Sequence, residues 1–368
     1  MYKRQARECL REGLEAGAAG ISLGLMYQPE CYASHEELIK ILQAASPYGR
    51  LLTCHIRGEG DHLAESVEEV IRLGKETGLP VNISHFKVTG KKNWGTGMLR
   101  AIDVIERERA GGLEVTVDVY PYCAGATTAV SLLPPSVIKD SVAGTLQELS
   151  SKKGMERARD ELYKNHEGWD NMVLSIGWDR IVISSVTLEE NRWFCGKSVQ
   201  EAADLCGCEE PCYVLFELMK QEQGKVGVIL QSMAQEDVDR AVRLDYAAVI
   251  SDGLYGAGDH PHPRLYGSFP KMIREYVTER KILTMEEAVK KMTMLPAKRL
   301  GLKDRGMLRP GLGADINLFA AGEVADRAVY GDSKQFGSGF AMVMVDGNVA
   351  VWKDEIQRKL PPVKAVRL

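Results

Sequence analysis

Residues 51–85 read LLTCHIRGEGDHLAESVEEVIRLGKETGLPVNISH, and this stretch decides the fold. Its two ends, residues 51–56 and 81–85, are short apolar runs, which predict buried strands. Between them, His62 to Thr77 carries apolar residues at helical spacing, which predicts a helix with one buried face, and Gly78 ends it. A strand, a helix and a strand in this order predict one unit of a parallel β/α fold.

The same alternation continues on both sides of this stretch. Ala18 to Leu25 and Val115 to Tyr122 predict further strands, and Met98 to Ala110 predicts a helix. Another helix begins after Ser34, which forms a capping box with Glu37. Repeated units of this size predict a parallel sheet covered by helices, and a closed barrel and an open doubly wound sheet both fit. No G-x-G-x-x-G follows a strand, so a dinucleotide site has no support.

The sequence divides into four predicted segments, and the first two differ in their sequence patterns. Residues 1–130 carry the β/α units. Residues 131–240 contain Pro134-Pro135, charged helix-like stretches and a cluster of cysteines. They predict an inserted subdomain that forms a lid over the mouth of the barrel.

The last two segments return to strands. Residues 241–305 contain the strand Tyr246 to Ser251 and an amphipathic helix, Glu286 to Leu300, which close the β/α part. Residues 306–368 predict part of a small β-domain. Its short strands run from Ala314 to Ala320 and from Ala341 to Val351, the latter around the hairpin signal Asp346-Gly347.

Composition excludes several classes of protein. The chain has 368 residues and a net charge of −4, with no basic block, which argues against nucleic acid as a partner. No apolar run reaches the roughly 18 to 20 residues of a membrane span, and no signal core follows the N-terminus. The eight cysteines are scattered, which favours reduced thiols and a cytoplasmic location. Cys206, Cys208 and Cys212 lack zinc-ribbon spacing, so incidental thiols are favoured over metal ligands.

Polar side chains stand at the C-terminal ends of the predicted strands. His55, His85, Tyr120 and Asp252 each follow an apolar run, and in a β/α barrel catalytic groups converge at that face. Imidazole and carboxylate together suit zinc. The alternative is that both histidines are core residues with satisfied hydrogen bonds, and Asp252 at a later strand end weighs against it.

Two neighbouring sets of residues are less specific. A structural salt bridge explains Arg57 and Glu59 at least as well as catalysis does. The loop after Asp252 carries Asp259, His260, His262 and Arg264 between prolines. Its histidines favour a role facing substrate or supporting the site over direct ligation.

The motifs around these residues resemble those of one family. TCHIRGEG (53–60), ISHFKVTGKKNWG (83–95), VDVYPY (117–122), ISDG (250–253) and HPRLYGSFP (262–270) resemble D-aminoacylases, the N-acyl-D-amino-acid deacylases of the amidohydrolase superfamily. RGMLRPGLGADINLF (305–319) resembles that superfamily's return into its β-sandwich. The match runs from about residue 6 to residue 355. It implies a (β/α)8 TIM-like hydrolase barrel, here partial, with a lid subdomain and part of a β-sandwich.

The resemblance also implies a role for each residue. His55 and His85 match two metal-binding histidines on the fifth and sixth barrel strands. Asp252, after the eighth strand, matches the metal-site aspartate that activates the attacking water. The groups that hold the carboxylate of the substrate are matched by Lys87, Tyr120 and Arg264. The implied reaction is zinc-dependent hydrolysis of a small N-acyl-D-amino acid.

The sequence departs from the family in two places. The His-x-His pair of the first strand and the cysteine ligand of the second have no counterpart, since Ala18 to Leu25 matches the fourth strand. We therefore expect an incomplete fragment that binds zinc weakly and has little activity alone. In addition, Ala126 stands where the family has a serine near the substrate.

Two other readings stay open. A dihydroorotase or hydantoinase would need a lysine on the fourth strand, and AAGISLGL has none. A non-catalytic remnant of the same scaffold is compatible with the missing ligands. Side-chain preference and oligomeric state do not follow from the sequence.

Overall fold

The computed structural model describes residues 2–254 and 260–357. Within these ranges the strands form three separate sheets. The strands are β1 Gly20–Gly24, β2 Leu51–His55, β3 Val81–Ile83, β4 Val115–Val119, β5 Gly125–Thr128, β6 Ile181–Ser185, β7 Gly227–Leu230, β8 Ala247–Val249, β9 Ile316–Phe319, β10 Phe340–Val345, β11 Asn348–Trp352 and β12 Glu355–Ile356.

Helices cover the sheets and connect the strands. They are α1 Tyr2–Glu15, α2 His35–Leu42, α3 Leu63–Thr77, α4 Thr96–Ala110, α5 Val142–Leu149, α6 Lys152–Leu162, α7 Met172–Ile176, α8 Val199–Leu205, α9 Pro211–Gln221, α10 Gln235–Arg243, α11 Arg264–Lys271, α12 Met285–Met292 and α13 Met294–Arg299. A π-helical stretch, Met272–Glu279, continues α11. No helix of the described chain combines the length and the apolar composition that crossing a membrane requires.

The main sheet has five parallel strands in the order β1-β2-β3-β4-β8. Helices α2, α3 and α4 connect its first four strands, and α10 precedes β8. Strands buried on both faces are mostly apolar, and residues 51–54 and 81–83 fit this pattern except for Thr53 and Asn82. This arrangement is that of a partial (β/α)8 barrel, so the predicted fold class is confirmed. All carboxyl ends of the parallel strands meet at one edge of the sheet, where the site lies.

Sequence-predicted element boundaries are close to the observed ones in this part of the chain. The Ser34 hydroxyl accepts a hydrogen bond from Glu37 N–H, and the Glu37 carboxylate accepts one from Ser34 N–H. The predicted capping box therefore starts α2. Gly78 ends α3 with a positive φ of 71°. The predicted helix over residues 286–300 is instead two helices, because Pro296 has no N–H with which to continue the ladder of α12.

The lid subdomain is built on a small antiparallel sheet in the order β5-β7-β6. It has its own hydrophobic core, drawn from residues 129–230. The predicted bounds, 131 and 240, differ from the structure at both ends. Strand β5 already begins at Gly125, whereas α10 packs in the main core through Val238, Ala241 and Val242. The lid is therefore inserted between β4 and its crossover helix α10.

The C-terminal residues form a four-stranded antiparallel sheet in the order β12-β11-β10-β9. Asp346 and Gly347 join β10 to β11 with φ values of 48° and 78°, as expected for the Asp-Gly turn of a hairpin. This sheet corresponds to the predicted part of a β-sandwich.

Candidate metal and carboxylate site

His55 and His85 end neighbouring parallel strands, and their rings meet. His55 Nδ1 lies 2.8 Å from His85 Nε2. The backbone of His85 is left-handed, with a φ of 37°, and its N–H donates to Asp118 at 2.5 Å. Asn82 in turn donates to the other oxygen of Asp118 at 2.6 Å. A buried polar network inside the sheet therefore holds His85 in a conformation that non-glycine residues rarely adopt.

Glu59 completes this group, and sequence reasoning missed it. Its Oε1 lies 3.0 Å from His85 Nδ1 and 4.0 Å from His55 Nε2. Within the described ranges, His55, Glu59 and His85 are the one set of three whose ligand atoms lie within 4.8 Å of one another. The alternative of a structural salt bridge does not join Arg57 to Glu59, because Arg57 pairs with Glu69 at 2.9 Å. The sequence position of Glu59 could have indicated it, since Glu59 stands four residues after a histidine at the end of a strand.

The electrostatics of this group favour metal ligation. Burial lowers the pKa of His55 to about 3, so its imidazole is neutral at physiological pH. Burial opposes ionisation of Glu59, but Lys87 and both histidines outweigh it and hold the pKa of that carboxyl well below its usual range. Neutral imidazole and carboxylate are the ligand types that zinc prefers. The residues present therefore fit a zinc ion.

Lys87, Tyr120 and Arg264, the predicted carboxylate-binding residues, lie together. Lys87 Nζ is 2.5 Å from Glu59 Oε1 and 5.8 Å from the centre of the Tyr120 ring. The guanidinium of Arg264 lies 4.7 Å from the same ring. The Tyr120 hydroxyl is buried, and the described residues offer it no hydrogen-bond partner. Two cations near one tyrosine ring, together with its unsatisfied hydroxyl, suit a ligand carboxylate.

Asp252 lines the same cavity. It follows β8, has a φ of 48°, and its Oδ2 is 2.7 Å from Arg264. The structure thus brings the two predicted histidines together and adds Glu59, whereas Asp252 contacts the predicted carboxylate-binding group. Its roles as ligand and proton acceptor stay predictions.

These residues line a cavity of about 170 Å³. The sheet supplies its polar floor, and the lid and strand-end loops supply an apolar wall. Ala126, at the position where a serine was expected, also lines it. The apolar wall consists of Met26, Tyr27, Leu132, Met172, Leu230 and Leu254.

A carboxylate of the lid holds the loop that carries Glu59. Asp170 accepts hydrogen bonds from the backbone N–H groups of Gly60, at 2.7 Å, and His62, at 3.3 Å. A Cβ at Gly58 would lie 2.7 Å from Asp170 Oδ2, so glycine is needed there. The lid and the Glu59 loop therefore form one packed unit.

The described residues of the loop after Asp252 support the structure around the site. His262 is buried, and its Nε2 lies 3.0 Å from Ala124 O. Its Nδ1 accepts from Arg264 N–H, also at 3.0 Å, and so positions the start of α11. His260 lines a separate cavity beside Tyr330. Asp259 lies outside the described residues.

The cysteines do not join the site. All eight lie outside disulfide bonds. None belongs to the described group of metal-ligand side chains, including Cys54, which is buried on the other face of β2. Burial raises the pKa of the Cys212 thiol to about 12, which makes it a poor ligand.

Comparison with known proteins adds to this geometry. Residues 246–351 match the model of an amidohydrolase family. The chain is 34% identical over 345 residues to an N-acyl-D-glutamate deacylase of Alcaligenes xylosoxydans xylosoxydans, and 29% identical over 355 residues to a D-aminoacylase of the same organism. These alignments cover 94% and 95% of this chain. The chain spans about 60% of the length of these curated relatives.

Solved structures show the same relationship. A D-aminoacylase crystal structure matches with a TM-score of 0.76 at 28% identity, over 97% of this chain and 64% of that one. The N-acyl-D-glutamate deacylase of Bordetella bronchiseptica, complexed with zinc and a phosphonate mimic of the tetrahedral intermediate, matches with a TM-score of 0.75 at 31% identity, over 95% and 63%. A further D-aminoacylase structure is described as having a binuclear metal centre.

The fold and the matched segment define a member of the amidohydrolases. Within that class, the chain belongs to the D-aminoacylase family.

Proposed function

We propose that this chain forms the metal and substrate site of a zinc-dependent deacylase that hydrolyses the amide bond of N-acyl-D-amino acids. One observation carries the proposal. The ligand-type cluster His55–Glu59–His85 lines one cavity together with Lys87, Arg264 and the unsatisfied Tyr120 hydroxyl, which supports the binding of an amide and a carboxylate of one small molecule together.

Each group has a chemical task in this proposal. His55 and His85, with Glu59 beside them, would hold zinc, which when bound supplies Lewis acidity toward the acyl carbonyl and a more acidic water. Lys87, Arg264 and the Tyr120 hydroxyl bind the α-carboxylate of the substrate by charge-assisted hydrogen bonds.

Asp252 would move the proton. Its carboxylate accepts a proton from the attacking water and returns it to the leaving nitrogen. The fixed positions of the carboxylate site and Asp252 determine whether the hydrogen or the side chain of the α-carbon faces the cavity. They therefore determine which enantiomer is hydrolysed. A small-molecule partner and a cytoplasmic location belong to this proposal.

The test is a zinc titration followed by an assay with N-acetyl-D-leucine and its L-enantiomer. We expect only slow hydrolysis of the D-enantiomer, which disappears in Asp252→Asn while zinc binding persists. Zinc binding without discrimination between the enantiomers would contradict the proposal.

A further inference from the structure

The charges that line the cavity of the site are arranged in pairs. As far as the structure describes the lining, its lysine and arginine residues are Lys87 and Arg264, and its carboxylates are Glu59 and Asp252. Lys87 Nζ lies 2.5 Å from Glu59, and Arg264 lies 2.7 Å from Asp252. The same two cations bind the α-carboxylate in the proposed function. Neither cation is therefore left over for a second carboxylate of the substrate.

The neighbouring loop adds no lysine or arginine to this set. Residues 255–259, which follow the cavity residue Leu254 and lie outside the described ranges, read YGAGD. Their one charged residue is Asp259, which is an anion. An acidic side chain of a substrate would gain no counter-charge from this stretch of sequence.

The hydroxyl groups of the cavity do not replace a cation. Thr127 Oγ1 and Ser131 Oγ lie 2.9 Å apart, and Ser131 donates to the carbonyl oxygen of Thr128, so the hydrogens of both hydroxyls are used. The Thr89 hydroxyl has no partner among the described residues. It can donate one hydrogen bond, but it is neutral and does not balance a buried negative charge.

The remaining surface of the cavity is apolar. Besides the apolar wall described above, Ala126 contributes a methyl group at the position where a serine was expected. A carboxylate placed against this surface would lose its water without gaining a cation. An aliphatic side chain in the same place would be stabilised by its burial.

The substrate itself determines which of its groups is left for the wall. The α-carbon of an N-acyl-D-amino acid carries a hydrogen, a carboxylate, an amide and a side chain. The carboxylate binds at Lys87 and Arg264, and the amide faces the metal-ligand cluster. With an acyl group as small as acetyl, the side chain is the largest group that remains.

We propose that the apolar wall binds the side chain of the D-amino acid, and that this chain favours apolar side chains such as that of leucine over acidic ones. The inference rests on the proposed function and narrows its substrate class. A relative at 34% identity is named for D-glutamate, but side-chain preference depends on the few residues that line the cavity rather than on overall identity.

Isothermal titration of the zinc-supplied chain with N-methylsulfonyl-D-leucine and N-methylsulfonyl-D-aspartate tests this preference. The two side chains have the same branched shape and differ in charge, and a sulfonamide resists hydrolysis. We expect the leucine compound to bind about tenfold more tightly or better, as burial of an aliphatic side chain allows. The asparagine compound, which is neutral and has the same shape, should also bind more weakly than the leucine compound.

Leu254 is the position at which the preference should be reversible. It is the most exposed residue of the wall, with 66% of its surface accessible, so a lysine fits there without disturbing the core. Leu254→Lys should lower the ratio of leucine to aspartate affinity about tenfold, because it supplies the missing cation. The matched control is Leu205→Lys on α8, since Leu205 is 65% exposed and lies outside the lining of this cavity.

Two results would overturn the inference. One is equal or tighter binding of the aspartate, asparagine or glutamate compound by the unsubstituted chain. The other is a Leu254→Lys ratio that matches that of Leu205→Lys, because the wall would then not face the side chain. Failure of the deacylase proposal is distinguishable, since it would appear as equal binding of the D- and L-leucine compounds.

Discussion

The pair Glu59–Lys87 is the most consequential contact of the site at the scale of single residues. Both side chains are buried, and Lys87 Nζ also lies 2.8 Å from His85 Nδ1. Burial opposes the charge of Lys87, but Glu59 and its other acidic neighbours raise its pKa above the usual value. Each partner therefore keeps the other ionised although both side chains are largely removed from solvent.

We expect Glu59→Gln to destabilise the fold by about 3 kcal/mol, because it leaves the buried ammonium of Lys87 without a counter-charge. Adding Lys87→Met should restore part of the loss. Urea unfolding of the two single variants and the double variant measures this coupling, with Glu36→Gln on the exposed face of α2 as the control. Strictly additive effects would show that the pair contributes nothing. Zinc affinity should fall in Glu59→Gln.

His262 is the residue that should link stability to pH. Burial lowers the pKa of its imidazole well below 6.5. The unfolded chain binds a proton at this residue below pH 6.5, whereas the folded chain does not. Protonation therefore favours the unfolded state, and stability is lost as pH falls below 6.5.

We expect the zinc-free protein to lose up to about 1.4 kcal/mol per pH unit through His262 below pH 6.5. His55, whose pKa burial lowers to about 3, adds a loss of the same sign. Urea midpoints at pH 7.5, 6.0 and 5.0 should show a shallower decline in His262→Gln. An identical slope in the variant would assign the pH dependence to other groups.

At the scale of elements, Asp170 connects the lid to the loop after β2. We expect Asp170→Ala to cost about 1–3 kcal/mol, because two backbone N–H groups lose their acceptor. Amide hydrogen exchange at Gly60 and His62 should become faster, and zinc affinity should fall as Glu59 loses its fixed position. Asp170→Asn, which keeps one acceptor oxygen, should be milder.

Asp160→Ala on the exposed face of α6 is the matched control for Asp170→Ala. Exchange rates at Gly60 and His62 that match those of the control would show that the lid does not hold this loop.

The elements themselves differ in how far sequence predicts them. Strands β2 and β3 and helix α3 were predicted within a residue or two, because each is specified by a local apolar pattern with Gly78 as a stop signal. The bounds of the lid were not predicted as closely, because β5 pairs with β7, which lies about a hundred residues later in the chain. No local pattern reports such a pairing.

At the scale of the whole molecule, Arg299 joins the C-terminal helices to the main sheet. Its guanidinium donates to Asn82 Oδ1 at 2.5 Å, Val117 O at 3.0 Å and Tyr246 O at 2.8 Å. Asn82 also holds Asp118, which receives the N–H of His85. The end of α13 is thus connected through the sheet to the metal-ligand cluster.

Arg299→Met should therefore destabilise the molecule by about 3 kcal/mol, because three buried acceptors lose their donor. It should also weaken zinc binding, which Lys298→Met, an exposed neighbouring substitution, should not do. Chemical denaturation and zinc titration of both variants measure these effects. Loss of stability without any change in zinc affinity would show that Arg299 does not influence the metal-ligand cluster.

The sequence by itself determined the alternation of strands and helices, and it put His55, His85, Tyr120 and Asp252 at strand ends. Parallel strands bring their carboxyl ends to one edge, so local order was enough to group these residues. Only the tertiary structure decided that Glu59 faces the histidines, that Arg264 meets Asp252, and that a lid residue holds the Glu59 loop. Those contacts depend on loop paths and on packing between segments distant in the chain, for which short-range patterns carry no signal.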